Sequence, residues 1–156
     1  MACVYLSGCG GGGGGSAAVV VPATTLSGTV AGGAAVIGTV QITDSKGATK
    51  GATIEANGHY TVDVSDMVGP FVLKAAGRVG NTTVTYYSAA TVADIGGTVN
   101  VTPFTNLMVS NIAAQMAETY FSNPANIANI GTLITPAKLA AAETALQAKL
   151  APVLAE

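Results

Sequence analysis

The sequence predicts a mainly β protein: a sandwich of about seven short strands, followed by a segment of two helices. Three observations carry this. Residues 23–102 are rich in Val, Thr and Tyr and are punctuated by Gly and Asn. Within them, Asn57-Gly58 precedes His59-Tyr60-Thr61-Val62-Asp63-Val64-Ser65, a strict alternation with Tyr60, Val62 and Val64 on one face. Beyond Pro103, Gly becomes scarce and apolar residues recur at helical spacing. The chain of 156 residues therefore divides into a leader and tether (1–22), a strand region (23–102) and a helical segment (103–156).

Each element has a local reason. Leu26 to Val30 reads as a short strand. Ala34 to Thr43 is a second, with Val36, Val40 and Ile42 separated by small or polar residues. Asp44-Ser45-Lys46-Gly47 is a turn, with Asp at its start and Gly at its end. A third strand spans Ala52 to Ala56 around Ile54, and Asn57-Gly58 is the favoured two-residue hairpin turn, both residues tolerating positive φ. His59 to Ser65 then forms the return strand. Pro70 opens Phe71 to Ala75, and Gly80-Asn81 turns into Thr82 to Ala90, where Val84 and Tyr86 share a face. Alternation puts Tyr86 and Tyr87 on opposite faces, one ring in the core and one on the surface. Gly97 to Thr102 is the last strand.

In the helical segment, Thr105 or Asn106 caps a helix whose stripe is Met108, Val109, Ile112, Ala113, Met116 and Tyr120; Ser122-Asn123-Pro124 ends it. Thr135-Pro136 starts the second, with Leu139, Ala142, Leu146, Leu150 and Val153 on one face. An apolar stripe needs a surface to cover. Two readings are open: these helices pack on the sandwich or on each other, or the chain belongs to a longer parent.

At the other end, Leu6-Ser7-Gly8-Cys9-Gly10 places a large, a small and a tiny residue before a cysteine. This resembles the signal peptides of bacterial lipoproteins cut by lipoprotein signal peptidase. The resemblance implies that Cys9 becomes the lipidated N-terminus and that the membrane is reached through it. Gly10 to Gly15 and Ser16 have the composition of a random-coil tether. By the sorting pattern of enterobacterial lipoproteins, Gly10 in place of Asp implies the outer membrane, and hence a cell-envelope or cell-surface location. One departure is plain. Only Met1 to Gly8 precede the cysteine, without Lys or Arg, where a basic region and an apolar stretch of about 7–15 residues are usual. The expectation is that the start lies upstream or that the chain is a fragment.

The strand region carries a second resemblance. Gly28-Thr29-Val30, Gly38 to Asp44, Gly51-Ala52-Thr53-Ile54 and Ala56-Asn57-Gly58-His59-Tyr60-Thr61-Val62 are similar to the carboxypeptidase regulatory-like family of transthyretin-like domains. Pro70-Phe71-Val72-Leu73-Lys74-Ala75 and Asn100-Val101-Thr102-Pro103-Phe104-Thr105-Asn106-Leu107 resemble a bacterial subgroup found in secreted proteins and lipoproteins. What this implies is an immunoglobulin-like, transthyretin-like β-sandwich in which Tyr60 of the Gly-x-Tyr hairpin enters the core. It implies a fold and not a chemistry.

Composition excludes more than it assigns. Charged residues are 9% of the chain and the net charge is −2. Lys46, Lys50, Lys74, Arg78, Lys138 and Lys149 are scattered, so the concentrated basic footprint of a nucleic-acid binder is missing. No run reaches the roughly 18–20 apolar residues of a spanning helix. Cys3 and Cys9 are the two cysteines. If Cys9 is the mature first residue, Cys3 is removed and the domain has no disulfide, thiol nucleophile or cysteine ligand. A Cys3–Cys9 disulfide or two idle thiols stay open. With His59 as the lone histidine, a histidine-rich zinc site is excluded and a Ser-His-Asp triad is disfavoured. Asp44, Asp63, Asp66 and Asp94 fall in or near turns without the spacing of a calcium loop, and Glu55, Asp63 and Asp66 read as solvent-face residues. Gly10 to Gly15 lack the Lys-Ser/Thr of a phosphate loop. No cofactor is expected.

The leading expectation is a non-enzymatic, lipid-anchored envelope module with a structural or adhesive role. An alternative is a self-assembling surface fibre in which Ala17-Ala18-Val19-Val20-Val21 adds as a strand to another copy. Another is the accessory sandwich of a larger secreted hydrolase. Glycan or small-ligand binding at the sandwich loops is a further class, for which the sequence marks no residue cluster.

Overall fold

The computed structural model describes residues 23–154. Cys9 and the segment Ala17 to Val21 lie outside them. Six strands form two antiparallel sheets. One pairs β1 (Thr25–Thr29) with β4 (His59–Asp63); the other has the order β3-β2-β5-β6, with β2 Ile37–Asp44, β3 Thr49–Thr53, β5 Phe71–Val79 and β6 Thr82–Ala90. The sheets enclose one apolar cluster. Leu26, Tyr60 and Val62 come from the small sheet, Val40, Ile42, Phe71, Leu73 and Ala75 from the large one, and all are buried. The alternation of His59 to Ser65 holds: Tyr60, Val62 and Val64 point inward.

The expected last strand, Gly97 to Thr102, is an extended segment and not a full ladder. It runs parallel to β1 through bridges Ser27↔Thr98 and Val30↔Val101. Gly28 explains how close it comes, since a Cβ there would sit 2.0 Å from the Val99 carbonyl oxygen.

Three local expectations are corrected. The strand centred on Ile54 lies earlier, at Thr49–Thr53. Asn57-Gly58 does turn the chain, but Gly58 alone of the pair has positive φ, at 86°. The turn also joins no hairpin: β3 pairs with β2, and β4 with β1, so this turn passes the chain from one sheet to the other. The Asn57 side chain fixes it by accepting the His59 N–H at 2.9 Å.

The largest correction concerns the two helices; the described residues contain five. They are α1 Pro103–Ala113, α2 Ala117–Phe121, α3 Pro124–Ile127, α4 Ile130–Leu133 and α5 Pro136–Leu154. The cap of α1 is Thr102, not Thr105 or Asn106, because Pro103 needs no N–H partner and begins the helix itself. Thr102 and Thr105 exchange backbone N–H bonds as a reciprocal capping pair. The stripe from Met108 to Tyr120 is broken at Ala114, which is left-handed with φ 54°. Ser110 Oγ then accepts the Ala117 N–H at 3.1 Å and starts α2 beside α1. Met116, expected on the buried stripe, is 71% exposed.

The helices pack on the outer face of the large sheet. Val109, Ala117, Ile130 and Ile134 bury against Val72 and Tyr87. Tyr87 is therefore 3% exposed, and the expected surface ring is covered; Tyr86 packs against the inter-sheet cluster from the other face. α1 also plugs the β6 edge: Tyr87 donates its N–H to Asn106 Oδ1 at 3.1 Å, and its carbonyl accepts from Thr105 Oγ1 at 2.9 Å. No helix among the described residues is long and apolar enough to cross a membrane.

Candidate functional site

Register arranges the outer face of the large sheet into rows. Gly51, Gln41, Lys74 and Tyr87 lie side by side across β3, β2, β5 and β6, and Thr49, Thr43, Val72 and Ala89 form the next row. The helices cover the β5–β6 half. The β2–β3 half stays bare, with Thr39, Gln41, Thr49 and Thr53 exposed. Where cover ends, a cleft of about 690 Å³ opens between the sheet and the α2–α3 corner. Its floor is Gln41, Thr43, Val72 and Lys74; Phe121, Ser122, Pro124 and Ile127 make one wall, and the Ser45-Lys46-Gly47 turn closes one end.

Chemically the cleft combines an aromatic corner with amines and hydroxyls. Tyr87 and Phe121 stack with centroids 6.0 Å apart and planes at 25°, and Tyr120 meets Phe121 edge-on at 5.0 Å. Lys74 Nζ stands 5.9 Å from the Tyr87 ring centre, which steadies the ammonium over a nearly buried ring. Lys46 is exposed on the closing turn. Both charged lining residues are cations, and no carboxylate lines the cleft. Among the described residues the one ion pair is Lys50–Asp66, so neither cleft lysine is neutralised by an acid.

The other polar residues singled out in the sequence serve structure. Asp44 is 1% exposed and accepts N–H groups from Lys46 and Ala48 at 2.8 Å and from Val68 at 2.9 Å. Burial pushes its carboxyl up, but the Val68, Lys46 and Ala48 amides together outweigh that and leave it below the ordinary value. Asp94 caps the 3₁₀ turn Val92–Asp94 by accepting the Thr91 N–H at 2.7 Å and its hydroxyl at 2.8 Å. Asp63 and Asp66 are both lowered: Asp63 chiefly by the Ser65 backbone N–H, Asp66 chiefly by hydrogen bonding from Lys50. Lys50 also reaches the Asp63 carbonyl at 3.0 Å, linking β3 to the end of β4. His59 is half-buried with Nε2 3.3 Å from Thr61 Oγ1. Tyr60 donates its hydroxyl to the Val99 carbonyl, and burial pushes its phenol well up. No three His, Cys, Asp or Glu side chains gather among the described residues.

A second groove, about 610 Å³, lies between α1 and α5 and is lined by Leu107, Met108, Met116 and Leu146. Its exposed lining is mostly apolar, but Asn111, Gln115, Glu118 and Lys149 also line it, so an acid faces its cation. Sequence reasoning missed the polar cleft because its members are distant in the chain. Only the alternation of Thr39, Gln41 and Thr43 opposite buried Val40 and Ile42 hints at a solvent face. No protein family, no curated protein and no solved structure matches this chain.

Proposed function

We propose that this protein is a non-enzymatic module of the cell envelope, anchored by a lipid on Cys9 and serving a structural or adhesive role. The observation that carries the reading is the Leu6-Ser7-Gly8-Cys9 sequence followed by a glycine run. The use of polar groups in the fold supports the non-enzymatic part. Asp44, Asp94, Lys50 and Tyr60 are each engaged in capping or tying segments together. The pair of sheets with Tyr60 at their centre supports a transthyretin-like, immunoglobulin-like sandwich as the fold type. An outer-membrane or surface location belongs to the same reading.

The test is the intact mass of the N-terminal peptide from isolated membranes, together with the fate of Cys9→Ser. A diacyl or triacyl adduct on Cys9, and release of the Cys9→Ser chain into the soluble fraction, are the expected results. An unmodified Met1 start in the soluble fraction removes the reading.

A further inference from the structure

We propose that the cleft at the α2–α3 corner binds a carboxylate-bearing polysaccharide, a uronic-acid chain, with the amines of Lys46 and Lys74 on its carboxylates and Phe121 against a sugar face. This rests on the adhesive reading above and names its ligand class.

Charge is the first argument. A chain of net charge −2 here presents two ammonium groups without a facing acid. Lys74 sits beside Gln41 in register and its ammonium lies 5.9 Å from the Tyr87 ring centre, within reach of a weak cation–π attraction that biases it toward the cleft.

Shape is the second. The polar floor does not stop at the cleft. Beyond Gln41 the exposed pair Thr39↔Thr53 continues the row of side chains along β2 and β3. A lane that is walled at one end and open at the other suits a polymer better than a small molecule. Its groups are side-chain hydroxyls and an amide on a flat sheet face, the donors and acceptors that sugar hydroxyls match. The half-buried Phe121 ring beside them supplies an apolar surface for a sugar C–H face. Two amines are too few for a nucleic-acid backbone. An acidic peptide would use the same amines, but the cleft meets the sheet mainly face-on, and the β3 edge beside it carries the Lys50–Asp66 pair, which discourages strand addition.

Titration calorimetry on the full chain at about 0.15 M salt, the physiological ionic strength, tests this with polygalacturonate, neutral dextran and poly-glutamate as probes. Saturable binding to polygalacturonate is expected, with both comparators at least about tenfold weaker. Lys46→Ala, at an exposed turn position, lowers the affinity, and the Lys46→Ala/Lys74→Ala pair lowers it at least about tenfold. Lys149→Ala, on α5, leaves it unchanged. Thermal melts confirm that the variants fold, and Lys46→Ala keeps the backbone N–H that Asp44 accepts. Three results overturn the proposal: no saturable binding to polygalacturonate, equal affinity for poly-glutamate, or full affinity in the double variant. An acylated Cys9 without binding overturns this inference alone. Binding, together with a native protein found in the soluble fraction with an unmodified Met1 start, overturns the anchoring reading alone.

Discussion

Asp44 is the only charged side chain buried among the described residues, and it ties two loops together. Its carboxylate closes its own turn through Lys46 and Ala48 and reaches Val68, twenty-four positions on. A carboxyl whose folded pKa is depressed favours the folded state while ionised. That contribution is complete above the unfolded value of about 3.9 and vanishes as pH falls through the lower folded value. Asp44→Asn is therefore expected to cost about 1–3 kcal/mol at neutral pH, since an amide cannot accept all three N–H groups equally well. It also flattens the fall in Tm on acidification below about pH 4. Thermal melts across pH 2–7 (a range set by the carboxyl values above) check both effects; an unchanged acid limb would show that other carboxylates govern it. Half of this role was legible. Asp at the first position of a turn is a local signal, whereas the bond to Val68 depends on two loops meeting in space. Tyr60 divides the same way: its inward direction follows from alternation, but the Val99 carbonyl that receives its hydroxyl does not.

Elements were more legible in kind than in pairing. β6 matches its expected limits, opened by the Gly80-Asn81 turn, and β1 lies within a residue of them. Asn57-Gly58 misled about connection, since the dipeptide encodes a reversal and carries nothing about which strand will be beside it. The α1 start was misplaced by three residues or more because Thr102, Thr105 and Asn106 are all good caps. The choice is made by Thr105 and Asn106 turning toward β6, where they serve the Tyr87 backbone. Asn106→Ala leaves the part-buried Tyr87 N–H unpaired, which is expected to cost about 1–3 kcal/mol. Urea unfolding measures the loss, and amide hydrogen exchange locates it, with the Tyr87 amide exchanging faster and the β2–β5 amides little changed. If the Tyr87 amide keeps its protection, α1 shields that edge by packing alone. At the far edge, Lys50 bonds to Asp63 and Asp66, an inward-directed charge of the kind that discourages edge-to-edge pairing.

For the whole molecule, amphipathic spacing announced that the helices needed a surface but not which one. The surface is the β5–β6 half of the large sheet, with Val72, Tyr87 and Ala89 beneath. A chain ending at Thr102 uncovers these residues. It is expected to bind an apolar dye and self-associate at concentrations where the full chain does not, as sedimentation and dye fluorescence would report. A monodisperse, dye-negative product would mean that the two sheets are sufficient without their cover. The cleft exists because this cover is partial, and its row of Gly51, Gln41, Lys74 and Tyr87 is created by register across four strands. Turns set the β2–β3 and β5–β6 registers locally, but nothing local pairs β2 with β5, so the row as a whole was invisible there.

The fold also has two unlike poles. Thr24 accepts the Val64 N–H at 2.7 Å just before β1 begins, and Asp44 holds the Val68 N–H a few residues further along the same loop. The chain therefore joins the domain at the pole where Lys46 stands at the closed end of the cleft. Thirteen residues lie between Cys9 and Ala23, and the fourteen Cα steps they make span at most about 50 Å even fully extended. If Cys9 carries the proposed lipid, that distance is the ceiling on how far the first described residue stands from it. Lys46 belongs to the pole where the chain enters, while Thr39 and Thr53 lie further from it. A polymer held along the lane as proposed has its amine-gripped end at the pole where the chain enters the domain and its hydroxyl-lined end at the opposite one.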